Sequence, residues 1–227
     1  NTAAAFESAV SHGFQYLETD VHCTRDGVLL AFHDDRLDRV TSDRGLIAAL
    51  DYPVIARARV GDHEPIPLME ELLGDFPHTR FNIDPKSDAA VGPLIEVIHR
   101  TGAQERVCIG SFSDKRLDRV RTALPKVCTS MATLETTRAR LASIGLPVGV
   151  LRAACAQVPV RWNGIKVVDH RFVQAMKTRG LHTHVWTVNE PDEMNRLLDL
   201  GVEGLMTDRP ALLKSVLQSR GQWHQVG

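Results

Sequence analysis

Apolar and polar positions first alternate with a helical period. Residues 3–10 form an apolar-rich helical pattern that Asn1 or Thr2 can cap and Gly13 can end. The period then shortens to two over residues 14–23, where Leu17, Thr19 and Val21 alternate with Glu18, Asp20 and His22. Asp26 and Gly27 predict a two-residue hairpin turn, with residues 28–33 as the return strand. Residues 34–65 are polar and irregular apart from a helical stretch near 46–50, and residues 68–73 read as a short helix.

A regular rhythm follows. Strand-like runs fall at 81–83, 106–109, 127–130, 165–168, 184–188 and 204–206, each followed by an amphipathic helical pattern such as 94–98 or 194–198. Strands alternating with helices predict right-handed βαβ units and a parallel sheet. Residues 17–21 bring the strand count to seven, with a helix ahead of the first. The expected fold is α/β, a TIM (β/α)8 barrel whose first strand is missing from the sequence. It would be a single domain over 1–227, with a hairpin and loop insertion at roughly 34–65 after the strand bearing Glu18 and Asp20. The alternative, a doubly wound open sheet, is disfavoured because no glycine-rich phosphate loop follows any strand.

Composition narrows the function. The 227 residues are 43% hydrophobic and 24% charged, with 27 Lys+Arg against 28 Asp+Glu. That apolar share fills a core, and balanced charge argues against both disorder and nucleic-acid binding. No run approaches the ~20 apolar residues of a membrane span. Cys23, Cys108, Cys128 and Cys155 are far apart in sequence and read as small buried hydrophobes rather than disulfide or zinc partners. A reducing, cytoplasmic location is the expectation.

Chemistry gathers at the strand ends. Glu18 and Asp20 share a face, and two acids on one buried strand end call for a positive partner. A divalent cation with oxygen ligands (Mg²⁺, Ca²⁺ or Mn²⁺) is one solution, and solvation or arginine pairing is the plainer one. A two-residue turn would pair Arg25 with Val28 and place His33 opposite Asp20, where it has the titration range of a general acid or base. His22 shares the carboxylate face as a further candidate ligand. Asp84 and Lys86 repeat the pattern on the next strand, the lysine suited to an anionic substrate such as a phosphate. Trp186 ends a strand, as a site wall or a core residue. Asp208 is expected to cap the last helix, and His63, His78, His99, His170, His182 and His224 read as surface.

These residues resemble the signature of the glycerophosphodiester phosphodiesterases. The landmarks are residues 17–22, the Asp26-Gly27 turn, residues 32–39, 65–71, 82–86, 185–189 and 206–210, in the family's order across nearly the whole chain. The resemblance implies a TIM barrel that hydrolyses glycerophosphodiesters to glycerol 3-phosphate and an alcohol with Ca²⁺ or Mg²⁺. It implies metal binding by Glu18, Asp20 and Asp84, a catalytic role for His33, and phosphate contact by Lys86. The family commonly has Glu where Asp84 stands. Its other catalytic histidine lies in a His-Arg-Gly motif upstream of the stretch that Asn1-Thr2 matches, so the chain as it begins is expected to bind metal but turn over poorly. Rivals are a phospholipase D-like or phosphoinositide-cleaving barrel, which an exposed apolar rim at the strand carboxyl ends would favour, and a non-catalytic phosphodiester- or metal-binding barrel. A Lys86 Schiff-base aldolase ranks last, because nearby carboxylates raise a lysine's pKa.

Overall fold

The Thr2 hydroxyl accepts the Ala5 N–H at 3.2 Å and so starts helix Ala3–Ser11 in the computed structural model, which describes residues 1–223. The chain divides into two units. One comprises Asn1–Ser111 with Lys115–Cys128; the other comprises Phe112–Asp114 and the residues from Thr129 on.

In the first unit, β1 (Tyr16–Cys23) pairs antiparallel with β2 (Leu29–Ala31) and parallel with β3 (Arg80–Pro85). Beyond β3 the sheet continues through β4 (Val107–Ile109) and β5 (Cys128–Thr129). Leu17 and Val21 of β1 and Phe81 and Ile83 of β3 are buried, as their alternation requires. Phe6 meets Phe76 and Phe81 edge-on, with centroids 6.3 and 6.0 Å apart, and so seats the first helix. Helix Asp88–Thr101 follows β3, capped by the Ser87 hydroxyl and ended by Gly102 at φ +62°.

The hairpin differs from expectation by one residue. Val21 pairs with Ala31 and Cys23 with Leu29, so Asp20 faces Phe32, whose N–H donates to the Asp20 carbonyl at 2.9 Å. The turn holds three residues, because Thr24 donates to the Val28 carbonyl and its hydroxyl accepts the Val28 N–H, both at 2.9 Å. His33 therefore stands past the strand end instead of opposite Asp20. The insertion is also more ordered than its polarity predicted. Its Leu37, Ile47, Ile55 and Ala58 are buried with the flanking Leu30, Phe32 and Ile66 in a cluster of their own.

The second unit holds three parallel strands in the order β8, β7, β6: β6 is Cys155–Pro159, β7 His182–Trp186 and β8 Gly204–Leu205. The run at 165–168 is not one of them. Ile165–Lys166 instead pairs antiparallel with Arg161–Trp162 around an Asn163-Gly164 turn, and the strand of the rhythm is β6. Asp208 does not cap helix Pro210–Ser219; its carboxylate accepts the Asn189 side-chain N–H at 2.9 Å. His63, His78, His99, His170 and His182 are exposed, and His224 lies outside the described residues. Among the described residues no disulfide joins the four cysteines, of which Cys23 and Cys155 are buried. No helix among them is long and apolar enough to cross a membrane.

Candidate active site

Parallel pairing in register sets the site. Glu18 lies beside Asn82 and Asp20 beside Asp84, so β1 and β3 turn four polar side chains to one face and bury Leu17, Thr19, Phe81 and Ile83 on the other. Lys86 follows β3, tied by its N–H to the Val21 carbonyl at 3.1 Å. Its ammonium reaches back to Asp20 Oδ1 at 2.5 Å and Asp84 Oδ2 at 2.8 Å. Asp20 is 5% exposed, and one cation among three carboxylates leaves negative charge in excess.

That excess is visible in the acids. Glu18 keeps one side open to water while protein crowds its carboxyl; this burial and then the Asp20 carboxylate push its pKa up to about 8, with Asp84 adding and Lys86 opposing. Burial also raises Asp84, against the pull of Lys86. For Lys86, burial works against the charge, but Asp84 and Asp20 outweigh it and the pKa rises. A raised lysine is the opposite of what an amine nucleophile needs, so an aldolase role has no support here.

His33 is brought to a carboxylate, though not to Asp20. Its Nδ1 lies 2.6 Å from Asp34 Oδ1, and Arg39 grips the same carboxylate with two bonds of 2.5 and 2.9 Å. The Arg39 hydrogen bonds hold Asp34 down at about 2. His22 is buried on the Asp20 face with Nε2 3.1 Å from the His33 carbonyl oxygen, and burial lowers its pKa.

Three residues to which the sequence reading gave no individual role also shape the site. Arg39 fixes Asp34, Asn82 stands level with Glu18, and Arg116 donates to the Pro85 carbonyl at 3.1 Å and to Asp88 at 2.8 Å, pinning the turn between Asp84 and Lys86. Asn82 and Arg39 stand within the landmarks 82–86 and 32–39, whereas Arg116 lies in none, and the two arginines act across five and about thirty residues of chain. Trp186 is half-buried at the end of β7, edge-on to Phe112 with centroids 5.7 Å apart.

A model of the glycerophosphoryl diester phosphodiesterase family matches residues 1–212. The chain belongs to that family. It is accordingly a phosphodiesterase, as its sequence motifs led one to expect. A probable glycerophosphodiester phosphodiesterase 2 of Mycobacterium tuberculosis is 39% identical over 231 residues, spanning 98% of this chain and 87% of that protein. Among solved structures, a putative glycerophosphoryl diester phosphodiesterase from Silicibacter pomeroyi matches with a TM-score of 0.82 at 23% identity, covering 99% of this chain and 90% of that one. A phosphodiesterase from Oleispira antarctica, solved with the product sn-glycerol-3-phosphate, gives 0.81 at 20% identity, with 96% and 91% covered. These likenesses carry the fold, which is the TIM-barrel class that the strand–helix rhythm predicted.

Proposed function

We propose that the protein hydrolyses glycerophosphodiesters to glycerol 3-phosphate and an alcohol, with a divalent metal, Ca²⁺ or Mg²⁺, held by Glu18, Asp20 and Asp84. The observation that carries the reading is the Lys86 ammonium set between Asp20 and Asp84, with Glu18 crowded alongside them. Three carboxylates, two of them sharing one ammonium, fit a hard cation, since added positive charge favours the ionised Glu18 that burial and then Asp20 disfavour. When bound, such a metal neutralises charge on phosphoryl oxygens.

The chain's own groups divide the remaining work. Lys86 presents a fixed positive charge to the phosphate. His33 moves a proton as acid or base: Asp34 engages Nδ1, which leaves Nε2 for the substrate, and Arg39 keeps Asp34 ionised and in place. Trp186, which ends strand β7, is assigned to substrate contact from that strand-end position. The test is glycerol 3-phosphate release from glycerophosphocholine by the full-length protein with Ca²⁺, Mg²⁺ or EDTA, beside His33→Ala. Metal-dependent release that His33→Ala abolishes supports the reading. Release indifferent to EDTA, or none with either metal, overturns it.

A further inference from the structure

The hairpin of Arg161–Trp162 and Ile165–Lys166 holds its apolar side chains in water. Asn163 and Gly164 have φ of +47° and +80°, the signs of a primed two-residue turn, which Asn-Gly adopts readily and which follows the strand twist. Trp162 pairs directly with Ile165, so the two share a face; Arg161 and Lys166 pair likewise on the other. Trp162 is 48% exposed and Ile165 66%.

This exposure is held in place. The Arg161 guanidinium donates to the Gly164 carbonyl at 3.1 Å, and the Trp162 ring lies 5.3 Å from that of Phe112. Phe112 is itself 47% exposed and meets Trp186. Trp186 ends β7, and Trp162 stands just past the end of the neighbouring parallel strand β6. The apolar rim thus grows from the carboxyl ends of two adjacent strands. Among the described residues neither Arg161 nor Lys166 forms an ion pair. Glu193, the acid that feels Lys166, is already taken by Arg196 through bonds of 2.7 and 2.6 Å.

An exposed tryptophan and an aliphatic beside unneutralised Arg and Lys have the composition of a bilayer-interface element. The core of a protein–protein interface shares the Trp, Phe and Arg but is depleted in Lys, so Lys166 tips the choice toward lipid. We propose that this hairpin, with Phe112, docks the protein on an anionic phospholipid surface. Trp162 and Ile165 enter the head-group region, and Arg161 and Lys166 meet lipid phosphates. The docking requires no turnover. The same rim is the feature that would favour a lipid-cleaving barrel over one acting on water-soluble diesters, and the binding assay reads docking whichever substrate is cleaved.

Co-sedimentation with vesicles tests it, using phosphatidylcholine alone and an equimolar mixture with phosphatidylglycerol. The protein is expected to bind the mixture and to bind pure phosphatidylcholine more weakly. Each lost basic charge costs about fivefold, so a double Arg161→Gln, Lys166→Gln variant loses roughly 30-fold, and Ile165→Ser also binds more weakly. These positions are exposed, and an unchanged melting temperature certifies the fold of each variant. No binding to either vesicle, binding indifferent to phosphatidylglycerol, or full retention by Ile165→Ser overturns the proposal. So does self-association in solution that Ile165→Ser abolishes, which assigns the face to a second copy. Glycerophosphocholine hydrolysis, measured without vesicles, reports on the catalytic reading alone.

Discussion

Asp20 and Asp84 stand level on neighbouring parallel strands, and the single ammonium of Lys86 joins them at 2.5 and 2.8 Å. The lysine offsets the repulsion between two crowded carboxylates, and in the proposed reaction it would also offer positive charge to an anionic substrate. Lys86→Met removes both. Its side chain is 27% exposed, so the stability loss falls below the roughly 3–5 kcal/mol of a fully buried broken pair, to about 2 kcal/mol in urea unfolding. The rate loss is larger, on the order of 10²–10³ in kcat, the range for deleting one donor to developing charge. Full activity in Lys86→Met would mean that the lysine is structural only.

Glu18 separates metal binding from folding. Its carboxylate is disfavoured by crowding and by Asp20, so Glu18→Gln is expected to raise metal-free stability while removing a proposed ligand. The unmodified protein should gain stability from Ca²⁺ or Mg²⁺, about 2.7 kcal/mol at a hundredfold excess over Kd. Differential scanning calorimetry with and without metal reads both effects. A Glu18→Gln protein that still melts higher with metal would take Glu18 out of the ligand set.

The Arg39–Asp34–His33 chain gives a pH signature. Asp34 is held at about 2, against an ordinary 3.8. A depressed carboxylate contributes stability that is complete above the unfolded value and lost as pH falls through the folded one. The window is therefore about pH 4 down to pH 2, and the contribution is on the order of 1–2 kcal/mol, since Asp34 is 20% exposed. Asp34→Asn should flatten the stability slope in that window. It should also lower kcat roughly 10–10²-fold by releasing the imidazole, while His33→Ala costs 10²–10⁴-fold. An unchanged slope in Asp34→Asn would show that the ion pair contributes nothing to folding.

Strong local patterns were legible and competing partners were not. Alternation in β1 placed Glu18 and Asp20 on one face, and the same rule paired Asp84 with Lys86. The hairpin register slipped by one because Thr24, a residue without turn character of its own, takes both Val28 hydrogen-bonding groups and lengthens the loop. β6 escaped notice since Gln157 and Pro159 dilute its apolar pattern, while the run at 165–168 has the denser one. Yet Asn163-Gly164 marked that run as a hairpin arm, a stronger signal than its hydrophobicity. Arg39 and Arg116 act through contacts that no spacing rule encodes.

Thr183 offers a stabilising change outside the carboxylate cluster. It is fully buried in β7, and among the described residues its hydroxyl has no hydrogen-bond partner, though its N–H donates to Glu203 at 2.9 Å. A buried polar atom left unpaired costs about 1–3 kcal/mol, and valine has the same shape without that atom. Valine also keeps the β-branch that suits a strand. Thr183→Val is therefore expected to gain about 1 kcal/mol, read as a higher urea midpoint at unchanged m. Thr183→Ser keeps the orphan hydroxyl and deletes the packed methyl, so it should lose about 1 kcal/mol. The opposite signs make the pair decisive: if Thr183→Val destabilises as much as Thr183→Ser, the hydroxyl has a partner, and a bound water is the one to look for.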